Sequence, residues 1–264
     1  MTTSARRGTI QSVDRAARIL KALSAGTAHL GVTELAQRLH IAKATVHGLL
    51  RTLERQELVE QDPESGKYRL GPAMLHLGNA YLDNHELRSR SFLWADSLAN
   101  RVGEAVRVGV LHGRSVLIVH HVFRPDGSVQ ILEVGASIPW HACALGKAIA
   151  AQLDRDRRRS ILAGPMPRLT GKTIADPHEM AEALDAIADQ GVAFEDQEAI
   201  VGEAEIAAAI TDHRGHPVGA IGVAGPAERL LAEPRTEAIV LAVKDVARGL
   251  SRDMGARRLS PTST

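Results

Sequence analysis

Apolar positions in the first seventy residues recur at helical spacing in three short blocks. Over 10–23, Val13, Ala16, Ala17, Ile19, Leu20 and Leu23 share one face, and Gly26 is placed to end that helix. A shorter helix is predicted over 32–39, with Thr33 as its cap and Glu34 in a first turn where the helix dipole favours an acid. A third, over 43–55, gathers Val46, Leu49, Leu50 and Leu53 on one side. The period then changes to two strand-like runs, 58–61 and 67–70, separated by Asp62-Pro63-Glu64-Ser65-Gly66, which is dense in turn formers. Gly71-Pro72 punctuates their end, and 73–102 is helical in pattern with a break near Asn84, as suits a linker.

From Glu104 the pattern mixes strands and helices. Strands are predicted over 105–111 and 116–122 around His112-Gly113-Arg114-Ser115, and over 129–134. A helix follows over 144–153, then one begun by Asp176-Pro177 and stopped by Gly191. Runs 206–211 and 218–223 pair as strands around Asp212-His213-Arg214-Gly215, and 234–252 reads as a closing amphipathic helix. The whole is an α+β chain. Its expected parts are an arm over 1–9, a helical module with a hairpin over 10–71, linker helices over 72–102, a mixed-sheet domain over 103–253 and a loose polar tail over 254–264.

Two short helices joined by a tight turn can lay the second in a DNA major groove, with the hairpin as a wing. Ala36 supplies the small residue that close packing of the pair needs, and Val46 the apolar plug. His40 stands at the turn, where glycine is usual and positive φ is needed. On the third helix Lys43, Ala44, Thr45, His47 and Gly48 form the exposed N-terminal face. Lys43, Thr45 and His47 would meet base edges, and Arg51 a phosphate. Lys67 and Arg69 are further phosphate candidates from the wing, with Tyr68 between them; Thr33 and the arm residues Arg6 and Arg7 complete the set. A protein-interaction module of three helices and a hairpin fits the same pattern.

Composition narrows the classes. Hydrophobic residues make up 44% of 264, enough for a sizeable core, while aromatics at 3% argue against stacking single-stranded bases. The single cysteine, Cys143, allows no intrachain disulfide. No apolar run is long enough to span a bilayer and residues 1–8 lack the apolar core of a secretory signal, so a cytoplasmic protein without membrane partners is expected. Net charge is +1, but residues 1–70 carry eleven Lys/Arg against seven Asp/Glu, a basic front on a near-neutral body.

Several segments together resemble the IclR family of bacterial transcriptional regulators. Ile10-Gln11-Ser12-Val13-Asp14-Arg15-Ala16 is similar to that family's opening, Lys43-Ala44-Thr45-Val46-His47 to its recognition helix, and Gly66-Lys67-Tyr68-Arg69-Leu70-Gly71 to its wing. His141-Ala142-Cys143-Ala144-Leu145-Gly146-Lys147-Ala148 resembles a family segment with Thr in place of Cys143, and Gly219-Ala220-Ile221-Gly222-Val223-Ala224-Gly225-Pro226 its last hairpin. The likeness covers about residues 10–250. Gly78-Asn79-Ala80-Tyr81-Leu82-Asp83, His85-Glu86-Leu87-Arg88 and the run from His120 to Asp126 narrow it toward the glycerol-operon regulators of actinomycetes. The resemblance implies a winged helix-turn-helix, a linker helix that builds a dimer, and a GAF-like effector domain. It further implies binding to double-stranded operator DNA as a dimer or a pair of dimers, repression in many members and activation in some, no cofactor, and release by a small metabolite such as glycerol or a glycerol 3-phosphate-like ligand.

The resemblance places the effector cavity beside the helix that begins at Ala144. Its implied lining is Ala144, Leu145, Glu195, Glu205, Gly222 and Ala224, and Cys143, next to Ala144, is a further lining candidate. Keto-acid-binding relatives carry Cys at Glu205 and Ser at Gly222 and Ala224. A carboxylate can accept hydrogen bonds from a polyol and would repel a phosphate unless Arg or Lys intervened. Two orientations of Glu205 are open: into the cavity, or outward to a surface cation.

Other chemistry is weaker. Cys143 two residues from His141 could be a nucleophile with its base, but no third orienting group is evident and a buried thiol is the simpler reading. His120 and His121 are adjacent on a strand and point to opposite faces, so they do not make a metal site together. The 154–159 charge run reads as a solvated helix end. An enzyme or sensor whose front end serves only dimerisation is the competing function class.

Overall fold

In the computed structural model, which describes residues 9–25, 29–126 and 130–256, the chain divides into two units between Asn84 and His85. The first unit comprises α1 (Gln11–Ser24), α2 (Val32–Leu39) and α3 (Lys43–Arg55), an antiparallel hairpin of β1 (Val59–Gln61) and β2 (Tyr68–Leu70), and α4 (Ala73–Asp83). Ile19, Leu35, Val46, Leu50 and Val59 meet in its core. Each comes from the apolar stripe of its own element, so one-sided burial explains why these short helices are stable at all.

The turn between α2 and α3 is closed by backbone chemistry. His40 takes left-handed angles, φ 55° and ψ 47°, and the Ile41 N–H donates to the Ala36 carbonyl at 3.0 Å. That bond satisfies a carbonyl that the helix end would otherwise leave open. The start of α2 differs from expectation. Thr33 lies inside the helix; Gly31 is the N-cap and its N–H donates to Glu34 Oε2 at 2.6 Å. Glu34 can reach back to the cap from the third helical position, whereas Thr33 is already within the first turn. Helix α1 ends at Ser24 with Ala25 as C-cap; Gly26, its expected stop, lies outside the described residues.

The second unit contains α5 (Glu86–Val102), β3 (Ala105–His112), β4 (Ser115–Val122), β5 (Ser137–Pro139), α6 (Ala144–Ala151), α7 (Arg155–Leu162), α8 (Pro177–Gln190), β6 (Ala193–Asp196), β7 (Glu203–Thr211), β8 (Pro217–Pro226), α9 (Ala227–Leu230) and α10 (Arg235–Asp253). The strands form an antiparallel sheet in the order β5-β4-β3-β8-β7-β6. Helix α6 packs on one face, where Leu145, Ala148 and Ile149 meet Val116, Ile118, Ala193, Ala207 and Ala220. Helices α5 and α10 lie close together; a Cβ at Gly249 would fall 2.3 Å from the Trp94 ring, so only glycine permits that approach.

Residues 130–134 are irregular, where a strand over 129–134 was expected; residue 129 lies outside the described residues. Side-chain bonds take the place of a ladder. Gln130 accepts from the Arg124 N–H at 2.7 Å and donates to the Arg124 carbonyl at 3.0 Å, and the Glu133 N–H donates to His121 Nδ1 at 3.3 Å. Ile131 and Leu132 face solvent, and the edge strand is β5 instead. The 154–159 charge run is the front of a separate helix, α7, capped by Asp154, which accepts from the Arg157 N–H at 2.9 Å.

Candidate functional site

On α3, Val46, Leu50 and Leu53 are buried, which leaves Lys43, Ala44, His47, Gly48 and Arg51 exposed and Thr45 half-buried. Helical geometry puts Lys43 and His47 one turn apart on the open side. The first turn of α3 holds no acidic residue, so nothing there opposes an incoming phosphate. Thr33 is also exposed. On the wing Lys67 pairs with Glu34 at 3.4 Å and Arg69 with Glu60. All four side chains are about half exposed, so these pairs are weak and can be exchanged for phosphates.

Tyr68 corrects the expected contact set. Its side chain is 3% exposed and packs in the first unit's core, because alternation along β2 turns it inward while Arg69 faces out. Its backbone pairs with Leu30, adding a bridge to the hairpin. Arg6 and Arg7 lie outside the described residues.

The second candidate site is built by strand register. Glu195 on β6, Glu205 on β7 and Ala224 on β8 stand side by side across the sheet. Two residues along, Ala207, Gly222, Arg107 and His121 form the parallel row. Cross-strand partners share a face, so both rows lie under α6. Gly222 packs tightly against Ala207, whose Cβ would lie 2.8 Å from a Cβ at that position.

Glu205 is 1% exposed and points inward. Its Oε2 accepts from the Leu145 N–H at 3.1 Å, in the first turn of α6, and its Oε1 lies 3.5 Å from Arg107 Nη1. Neither sequence alternative anticipated an inward carboxylate that is already matched by a cation. Burial raises the Glu205 pKa, while Arg107 and the Leu145 N–H hold it back. Arg107 loses hydration, yet Glu205 and Glu133 together keep its pKa above the ordinary value. Glu133 reaches it from the irregular 130–134 segment.

Beside this pair, Glu195 Oε1 accepts from the Glu198 N–H at 2.5 Å and the Ala199 N–H at 3.1 Å. Burial pushes its pKa to about 7, against the pull of the Ala199 bond and helped by the Glu205 charge. Glu198 in turn forms a buried ion pair with Lys147 of α6. The site therefore sets four carboxyl groups, on Glu133, Glu195, Glu198 and Glu205, against the two cations Arg107 and Lys147.

Cys143 is the N-cap of α6 and fully enclosed; burial pushes its thiol pKa up, opposite to what a nucleophile needs. His141 instead contacts the Pro167 carbonyl at 2.9 Å, and burial lowers its pKa. His120 packs edge-on against Phe92 of α5 with ring centroids 4.6 Å apart, while His121 accepts from Glu133, so the two do point apart. Among the described residues no three His, Cys, Asp or Glu side chains are grouped to hold a metal.

Sequence reasoning missed Arg107 and Glu133. Arg107 did carry a signal: it is the one charge in the otherwise apolar run 105–111, alternating with Val106 and Val108. Glu133 carried none, because its reach depends on a segment that is not a strand.

A winged helix-turn-helix followed by an α+β domain is the architecture of a DNA-binding transcriptional regulator. Residues 12–63 match the IclR helix-turn-helix domain, and residues 79–252 match the family described as bacterial transcriptional regulator IclR C-terminal. The chain belongs to the IclR family of transcriptional regulators. It is 48% identical over 251 residues to the glycerol operon regulatory protein of Streptomyces griseus, covering 94% of this chain and 98% of that protein. Its likeness to the glycerol operon regulatory protein of Streptomyces coelicolor is 47% over 250 residues, with the same coverage of both. Among solved structures, an IclR regulator from Alicyclobacillus acidocaldarius superposes with a TM-score of 0.81 at 26% identity, over 94% of this chain and all of that one. An IclR homolog from Microbacterium hydrocarbonoxydans, solved with 4-hydroxybenzoate, shares the fold at a TM-score of 0.77 and 21% identity, over 94% of this chain and 100% of that one. No helix among the described residues is long and apolar enough to cross a membrane.

Proposed function

We propose that this regulator is a cytoplasmic repressor of a glycerol-catabolic operon, that it binds a palindromic operator through α3, and that a small polyol held in the second unit releases it. The observation that carries the pathway is the 48% identity to a glycerol operon regulatory protein across 94% of the chain. Lys43, Ala44, Thr45 and His47 are the base-facing residues in this reading; Arg51, Lys67, Arg69 and Thr33 border the phosphates, with the arm residues Arg6 and Arg7.

A homodimer, or a pair of them, is part of the same reading. Helix α4 buries none of its own residues and leaves Leu75 and Leu77 67% and 60% exposed. An apolar helix of this kind calls for a second copy.

The effector site favours a neutral ligand. Arg107 is the cation that could have welcomed a phosphate, but Glu205 and Glu133 already match it. Adding a dianion to a site that is acidic overall is unfavourable, whereas hydroxyl groups can donate to its carboxylates. Glycerol therefore fits better than glycerol 3-phosphate. A mobility shift with DNA upstream of a glycerol uptake and kinase cluster tests the whole reading. Sequence-selective, salt-sensitive binding that millimolar glycerol weakens is expected. Indifference to sequence and salt would instead favour an enzyme or sensor that uses the winged helix only to dimerise.

A further inference from the structure

The first turn of α6 turns the Leu145 N–H to the interior, where it is bonded to a side chain of the protein itself. That side chain, Glu205, is 1% exposed and arrives from β7, sixty residues further along the chain. Its second oxygen, Oε1, has no hydrogen-bond donor; its nearest charged neighbour is Arg107 Nη1 at 3.5 Å. A helix start and a guanidinium are the elements of a receptor for a small carboxylate. Here the carboxylate is covalently part of the chain.

We propose that Glu205 is a resident occupant of an oxyanion subsite and that the Glu205–Arg107 pair sets the ligand class of this domain. With Glu205 in place, the Leu145 N–H is bonded to Oε2, and Arg107 lies 3.5 Å from Oε1, which still lacks a hydrogen-bond donor. A neutral hydroxylated molecule can donate to it; a carboxylate or phosphate has no proton to donate and meets like charge. Remove the carboxylate, and the same donors form a site for a small monocarboxylate. The inference rests on reading the second unit as the effector domain and names the residues that decide what it admits.

Chemical rescue tests it on the full-length chain. Glu205→Ala should melt at a lower temperature than the parent, and formate should restore it. At formate a hundred times its dissociation constant, the midpoint should rise by roughly 5–10 °C. Sodium chloride at equal ionic strength should not do this, the parent should not respond to formate, and Glu205→Gln, which keeps the site filled, should not be rescued. The double variant Glu205→Ala/Arg107→Met should lose the formate response, which a merely structural role for Arg107 does not require. Equal effects of formate and chloride on Glu205→Ala, or a parent that responds as strongly, would overturn the proposal. If Glu205→Ala does not fold in chloride buffer, refolding in formate becomes the readout. Recovery then supports the proposal, and no recovery, with Glu205→Ser folded and blind to formate, overturns it. Glycerol titrated into the parent reads the effector assignment separately. Rescue without a glycerol response removes the polyol reading and leaves the resident carboxylate standing; a glycerol response without rescue does the reverse.

Discussion

Lys147 and Glu198 form an ion pair inside the second unit with side-chain exposures of 3% and 8%. Two charges taken out of water are tolerated only while they have each other. Lys147→Met should therefore destabilise the unit by about 3–5 kcal/mol, because Glu198 is left uncompensated. The double change Lys147→Met/Glu198→Gln should recover much of that loss in urea unfolding. Full additivity of the two single effects would contradict the pairing.

Glu195 makes stability depend on pH in a stated direction. Its folded pKa of about 7 lies above the ordinary value of 4.5, so the folded state holds its proton longer than the unfolded one. Stability from this group is whole below pH 4.5, declines as pH rises toward 7, and is flat above. Glu195→Gln removes the decline. Relative to the variant, the parent should lose on the order of 1–3 kcal/mol between pH 5 and 7.5, as urea midpoints would show. Parallel pH curves for the two proteins would refute it.

On DNA, Lys43→Ala and His47→Ala should reduce operator affinity more than affinity for random duplex, each by about 1–3 kcal/mol on operator. Arg51→Ala should weaken both alike and lower the salt slope by about 1. Titrations at several salt concentrations separate the two behaviours. Equal losses on operator and random DNA for the His47 change would remove it from the base-reading set.

Leu75→Glu with Leu77→Glu changes two exposed positions of α4, where folding stability should move by no more than about 0.5 kcal/mol per site. Sedimentation should nevertheless show a smaller species and operator affinity should fall. An unchanged oligomer would place the interface elsewhere.

At the turn before α3, His40→Gly should be neutral or stabilising by up to about 1 kcal/mol, since histidine is held at φ 55°. His40→Val should be destabilising at the same position, because a β-branched side chain tolerates that φ less well. Thermal melts of the two variants in opposite order would show that the turn's backbone is not what limits it.

Periodicity made the helices of the winged helix-turn-helix legible, because Val46, Leu50 and Leu53 recur at helical spacing and are the residues that α3 buries. Capping was less legible. Thr33 looked like a cap by residue type, but Glu34 reaches Gly31 from inside the helix, and that depends on one residue of register. Tyr68 looked like a contact because it stands between two basic residues; the two-residue alternation of β2 decides its fate instead. The interior site was half visible. Glu205 stood out as a charge among alanines, yet its partners Arg107 and Glu133 come from other parts of the chain, and only strand pairing and an irregular segment bring them together. Long-range register of that kind is not written in local spacing.

Glu133 joins the irregular 130–134 segment to Arg107, and Arg107 joins it to Glu205. In the proposed site, a polyol donating to Glu205 Oε1 would compete with the Arg107 contact at that oxygen. Its apparent dissociation constant is then the intrinsic one divided by the fraction of molecules in which that contact is open. On that reading the response threshold would depend on Glu133, which holds Arg107 and is not itself a proposed ligand contact. A sensor built this way would stay silent at trace levels of a metabolite and answer only to abundance.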